Sequence, residues 1–194
     1  MAAYHVAREE GRSIVVERFA HGHDYRMLVI GNKLVAAARR EPPHVIGDGK
    51  STIEALVAKV NEDPRRSDGH STVLSIIKLD AIAQSVLAEQ GFTPTSVPGE
   101  GVSVLIRRNA NLSTGGTAVD VTDEVHPSVA EQAVDAARVI GLDIAGIDVI
   151  CEDISRPLAE QGGIVCEVNA GLACGCTCSL LMESLALWVK RSST

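Results

Sequence analysis

The sequence predicts an α+β protein built on an antiparallel sheet, and three observations carry that prediction. Short runs rich in Val, Ile and other apolar residues recur, separated by tight polar turns such as His21-Gly22-His23-Asp24 and Gly31-Asn32-Lys33. Between them lie longer stretches with apolar residues at helical spacing, above all the one that opens at His126-Pro127. Near the C-terminal end, Gly146-Ile-Asp148-Val-Ile and Ile164-Val-Cys-Glu167-Val-Asn169 read as neighbouring strands, with Gly162-Gly163 as the tight connection before the second.

Taken in order, residues 1–11 are a short polar lead expected to fray. Residues 13–19 form a first strand by β-branched content, with Glu17 interrupting the apolar run. Residues 25–30 and 34–38 give two more strands of a meander, and Glu41-Pro42-Pro43 stops the sheet because proline supplies no ladder donor. Ser51 with Glu54 three residues later predicts a capping box, opening a helix through about Glu62 with Ile53, Leu56, Val57 and Val60 on one face. A second helix is expected over residues 72–90, carrying Val73, Ile76, Ile77, Ile82, Val86 and Leu87, with Gly91 past its end. Residues 50–91 thus read as a helical insertion between sheet strands. A strand over 102–106 leads into Arg107-Arg108-Asn109-Ala110-Asn111-Leu112-Ser113-Thr114-Gly115-Gly116-Thr117. This run is either a flexible polar turn or a loop whose glycines turn backbone N–H groups toward an anion while Arg and Asn add donors. Val129, Ala130, Ala133, Ala136, Ala137 and Ile140 then give the third helix a stripe of small residues for close packing on the sheet. Residues 179–191 could form one more helix.

Composition narrows the classes. At 194 residues, with 45% hydrophobic and 22% charged, the chain can bury one good core. A net charge of −7, with the 18 Lys and Arg spread along the sequence, argues against a nucleic-acid surface. Neither an apolar run of membrane-spanning length nor a signal-peptide pattern is present, so no membrane partner is expected and the expected compartment is the cytoplasm. Five Cys, an odd number with three packed into Cys174-Gly-Cys176-Thr-Cys178, do not fit a disulfide framework and read as reduced thiols; a zinc site there is disfavoured, since Cys-x-Cys-x-Cys is not a standard zinc spacing and has no His nearby.

The acidic strand pair is the chemical focus. Side chains alternate along a strand, so Glu167 and Asn169 are expected on one face, with Cys166 and Val168 on the other. Asp148 on the neighbouring strand would complete three hard oxygen ligands. Such a set either sits at exposed strand ends facing water or holds a divalent cation, for which carboxylate and carboxamide oxygens suit Mg²⁺ better than Zn²⁺.

Longer matches carry a resemblance. Val15-Val16-Glu17-Arg18-Phe19, Gly22-His-Asp24-Tyr25-Arg26, Asn61-Glu-Asp-Pro64-Arg-Arg, Arg108-Asn-Ala-Asn111-Leu-Ser-Thr-Gly115-Gly116-Thr, Gly141-Leu-Asp-Ile-Ala-Gly-Ile-Asp148 and Glu167-Val-Asn169 together resemble the ATP-grasp ligases over residues 13–170. The resemblance implies an ATP-grasp-like antiparallel sheet flanked by helices, lacking the N-terminal part of that domain with its phosphate-binding lysine and glycine-rich loop. It implies that Glu17, Arg18 and Phe19 border the adenine, that Asp24 takes ribose hydroxyls, and that Arg108 and Asn111 meet the phosphates or an acyl phosphate. Gly115 and Gly116 would close over an incoming amino acid, and Asp148, Glu167 and Asn169 would ligate Mg²⁺. The implied substrates are ATP, L-aspartate and the C-terminus of a growing aspartate–arginine polymer that serves as primer. A homo-oligomer stays open. The alternatives are a non-catalytic nucleotide- and Mg²⁺-binding remnant, or a peptide ligase of glutathione synthetase type. After Asn169 the text departs from the family's pattern, so residues 171–194 read as an atypical, loosely attached tail, frame-shifted or otherwise altered.

Overall fold

The central strands of the sheet carry runs of buried residues, so both of their faces are largely covered. The computed structural model describes residues 8, 11, 13, 14, 19–67 and 74–170. In chain order their strands are β1 (His23–Ile30), β2 (Lys33–Glu41), β3 (His44–Ile46), β4 (Arg66–Ser67), β5 (Leu74–Ser75), β6 (Ser103–Leu105), β7 (Thr117–Asp120), β8 (Ile144–Cys151) and β9 (Ile164–Ala170). The helices are α1 (Ile53–Asn61), α2 (Ala81–Glu89), α3 (Pro127–Ile140) and the single turn α4 (Leu158–Gln161).

Five strands form one sheet in the order β7-β2-β1-β8-β9, and every neighbouring pair is antiparallel. On one face Tyr25, Met27 and Val29 of β1 and Ala145, Ile147 and Val149 of β8 pack against Val129, Ala133 and Ala137 of α3. Alanine at two of those helix positions lets α3 lie close on the sheet. Proline at N1 suits the first turn, where no N–H partner is needed, and the ring Nδ1 of His126 accepts from the N–H of Ser128 at 3.2 Å. Gly141 ends the helix in the left-handed region at φ 80°. The α+β class and this helix therefore agree with the sequence reading.

The segment between β2 and β7 builds a second core from Val45, Ile53, Leu56, Val57, Ile77, Ala83, Leu87, Val104 and Ile106. Two details differ from expectation. The N-cap of α1 is Thr52, whose hydroxyl accepts from the N–H of Ala55 at 3.3 Å, while Ser51 bonds Asp48 instead. The second helix is also shorter: Asp80 caps α2 by accepting from Ala83 N–H at 3.0 Å, and Leu74–Ser75 pairs in parallel with Arg66–Ser67. The β-branched cluster before Asp80 is extended chain whose apolar spacing imitates a helix. Asn61 holds it there, donating to the Ile77 carbonyl at 2.9 Å and accepting from its N–H at 2.8 Å. Ile82 is consequently 62% exposed and lies off the apolar face assigned to it. The expected strand over 13–19, the helix over 179–191 and the Cys174–Cys178 cluster fall wholly or largely outside the described residues. Among those residues, no helix is long and apolar enough to cross a membrane.

Candidate functional site

The sheet face turned away from α3 carries the charged residues. Asp24 and Arg26 of β1, Arg40 of β2, Asp148 of β8, and Glu167 and Asn169 of β9 all point to it, as the register requires. Asp24 lies opposite Arg40, Arg26 opposite Asp148, and Asp148 opposite Glu167. Of the residues expected to share a face, Asp148, Glu167 and Asn169 do so, and Asp24 joins them.

Asp148 is 5% exposed and sits between two arginines that the sequence reading passed over. Arg40 Nη2 is 3.4 Å from its Oδ2, and Arg26 Nε is 2.8 Å from its Oδ1. The second contact is an ion pair and not a hydrogen bond, since both Arg26 Nε and Asp148 Oδ1 are buried with no hydrogen-bond partner. Arg40 also holds Asp24, with Nε at 3.0 Å and Nη2 at 2.5 Å from one carboxylate oxygen. Oriented by its hydrogen bonds, the Asn169 amide donates to Glu167 Oε1 at 3.0 Å and accepts from Arg26 Nη1 at 2.9 Å. Burial pushes the Asp148 carboxyl above the usual carboxylate range; Arg40 and Arg26 pull against it, while Asp24 and Glu167 add to it. Burial alone would depress the Arg40 guanidinium, but Asp148 and Asp24 outweigh it and hold the pKa up. The result is a partly dry carboxylate with an oxygen free of hydrogen bonds, which a cation would relieve. Among the described residues no three His, Cys, Asp or Glu side chains converge closely enough to cage a metal ion.

A bulge corrects the strand-face reading of β9. Pairing shifts between Asp148 and Val149, so Val165 and Val168 both reach the core under α3. Cys166 and Glu167, between them, cannot alternate; Cys166 turns to the charged side, its Sγ donating to the Asp148 carbonyl at 3.3 Å. Cys151 is the opposite case, fully buried, with its thiol pushed up to about 11 by burial and by Asp153. Iodoacetamide at about pH 8 should therefore alkylate Cys166 in the folded protein and spare Cys151 until it is unfolded. Peptide-resolved mass spectrometry reads this directly, and labelling in the reverse order would remove the bulge from the account.

The other expected site residues are not gathered at Asp148. Arg108 is exposed and pairs with Glu89 of α2. Asn111 is exposed and precedes a single 3₁₀ turn, Leu112–Thr114, without a side-chain capping bond. Gly115 and Gly116 direct their N–H groups to the Leu112 and Asn111 carbonyls, each at 3.2 Å, so the loop would have to rearrange to offer them to an anion. A cleft of about 830 Å³ opens beside this loop, lined among others by His44, Asp48, Lys59, Arg66, Gly115 and Thr117, and none of the Asp148 cluster lines it. Phe19 is 78% exposed, its ring edge-on to His21; Glu17 and Arg18 lie outside the described residues. Arg26 was findable, because Asp24-Tyr25-Arg26 alternates two charges onto one face of a strand, whereas Arg40 lies on another strand. Nothing local marked the partner register.

No protein-family model matches the chain. It is 52% identical over 169 residues to cyanophycin synthetase of Trichormus variabilis, covering 87% of this chain and 19% of that protein. It is 41% identical over 167 residues to the glutathione biosynthesis bifunctional protein GshAB of Clostridium perfringens, covering 86% and 22%. Among solved structures, a bifunctional glutathione synthetase from Pasteurella multocida superposes with a TM-score of 0.68 at 32% identity, covering 89% of this chain and 24% of that one. The chain thus spans about a fifth of the length of the curated relatives it matches.

Proposed function

We propose that this chain, homologous to about a fifth of a cyanophycin synthetase and folded as an ATP-grasp-like sheet flanked by helices, is part of an ATP-dependent carboxylate–amine ligase. The observation that carries the reading is the set Asp148, Glu167 and Asn169 on one sheet face, with Asp148 Oδ1 buried and lacking a hydrogen bond. Two carboxylates and one carboxamide are too few for an all-protein cage, and they suit Mg²⁺, which keeps part of its coordination for substrate phosphates. Bound there, the metal would neutralise charge on a phosphoryl group in transfer. Arg26 and Arg40 oppose protonation of Asp148 and orient it, and Asp24, tied to Arg40, would take the ribose hydroxyls.

In the finer reading, ATP phosphorylates the C-terminal carboxylate of a cyanophycin-like primer, and the amine of L-aspartate displaces phosphate. An acyl phosphate is needed because a carboxylate is a poor electrophile toward an amine. Arg108 and Asn111 would meet the phosphates or the acyl phosphate, and Gly115 and Gly116 would close over the incoming amino acid, beside the cleft that Gly115 lines. Glu17, Arg18 and Phe19 would border the adenine. Residues 13–170 would be the partial ATP-grasp domain, residues 50–91 its insertion and residues 171–194 a tail, all in the cytoplasm. The 41% identity to a glutathione-forming protein supports a second reading, the same chemistry with another amine acceptor.

Calorimetry of ATP binding, with and without Mg²⁺, should show metal-dependent binding that Asp148→Asn weakens on the order of tenfold or more. Nucleotide binding indifferent to both metal and Asp148 would remove the proposal. Labelled aspartate offered with primer, and ADP release followed alongside, separates the acceptors: release with another amine favours the glutathione-like reading, and binding without release favours a remnant.

A further inference from the structure

We propose that Gly146 is a positioning residue of this site, and that the Arg26 side chain it admits makes the site select a phosphate-bound divalent cation over a bare one. The inference rests on the metal reading above. Gly146 stands two residues before Asp148 on the same face of β8, opposite Asn169 on β9 and opposite Leu28 on β1. Arg26 faces Asp148 in register, so its side chain leans diagonally to lie over Gly146. A Cβ placed on Gly146 would be 2.9 Å from Arg26 Nη1, 3.5 Å from its Cδ and 3.8 Å from its Cζ, and these are its three nearest atoms. The guanidinium occupies the space that any other residue at this position would fill. From that seat it reaches Asp148 Oδ1 at 2.8 Å and the Asn169 carboxamide at 2.9 Å, touching two of the three cation ligands directly and the third, Glu167, through Asn169.

A cation already in place has two consequences. A bare divalent ion must displace or tolerate a buried positive charge beside Asp148, which opposes binding. An ion arriving with phosphate brings an anion that the displaced guanidinium can pair with, which favours binding. The single group therefore acts with opposite sign on the two forms.

Gly146→Ala tests this, because the added methyl meets the far end of one flexible side chain and no backbone atom among its nearest neighbours. The variant should melt close to the parent. Free Mn²⁺, followed by its paramagnetic resonance signal, should bind the variant on the order of tenfold tighter than the parent, whereas Mn²⁺ with ADP should bind weaker by a similar factor. Arg26→Gln should reproduce both changes, and adding Gly146→Ala to it should change neither further. Simple damage to the site would weaken both forms together, so parallel losses, or no change in either, overturn the assignment of Gly146. A parent that binds neither form overturns the metal reading itself, which distinguishes the two failures.

Discussion

Asp148→Ala should lose about 2–3 kcal/mol of folding stability and abolish cation-dependent nucleotide binding. Removing one partner of a buried ion pair leaves the other charge uncompensated, which typically costs more than the pair ever contributed. Here the cost is held to the lower side for two reasons. Arg40 keeps Asp24 at 2.5 Å, and the Arg26 side chain is 13% exposed, so water recovers part of its solvation. Asp148→Asn should cost less, about 1 kcal/mol, since the amide keeps the side chain's shape and turns a polar oxygen toward the two guanidinium groups. The pH dependence has a definite sign. Burial raises the Asp148 carboxyl in the folded state above its unfolded value, so the fold binds that proton more tightly and this group's contribution becomes more favourable as pH falls. Because the asparagine does not titrate, the stability gap between parent and Asp148→Asn should widen in the parent's favour as pH drops through the folded-state pKa. Urea unfolding at neutral and mildly acidic pH, beside a metal titration, measures both. An alanine variant as stable as the parent would mean that Arg26 and Arg40 do not depend on Asp148.

Four strands of the five-stranded sheet and α3 were legible because their signals are local: β-branched apolar runs, a Gly-Asn turn, proline at a helix start and glycine at its end. Asp148, Glu167 and Asn169 were legible for the same reason, being acidic or amide positions on apolar strands. What escaped the sequence depends on register. Arg40 reaches Asp148 across the intervening strand β1, a relation that no spacing within one strand reveals. The bulge that turns Cys166 toward Asp148 is a mismatch between two strands and leaves no mark on either alone. The extended stretch before Asp80 failed for another reason. Ile76 and Ile77 continue a helical period in the sequence, but backbone bonds to Arg65 and Ser67 and the Asn61 side chain, all distant in sequence, hold the described part of this stretch extended. Gly115 and Gly116 read as either a polar turn or an anion cradle, and the close approach of three carbonyls gives Gly116 a packing purpose that no local pattern announces.

That purpose can be tested by Gly116→Ala, expected to cost about 2–3 kcal/mol and to loosen β7. Gly116 has no positive φ, so backbone strain is not the issue; space is. A Cβ there would lie 2.8 Å from the Glu41 carbonyl oxygen and 3.0 Å from those of Ala110 and Asn111. All three are backbone atoms, and two belong to the loop that must close for Thr117 to pair with Glu41 at the sheet edge. None can swing aside as a side-chain terminus would, so the loop itself must move. Gly141→Ala supplies the control: it is left-handed at φ 80° with nothing within 4 Å, so alanine there should cost only about 1 kcal/mol. Hydrogen exchange locates the damage, with amides of residues 117–120 and their β2 partners expected to lose protection in Gly116→Ala and keep it in Gly141→Ala. The comparison decides between two roles for one residue. A glycine kept only so that phosphate can approach its N–H would, when replaced, lose binding and keep stability. A glycine kept so that three carbonyls can converge loses stability first, and any binding defect follows from the displaced loop.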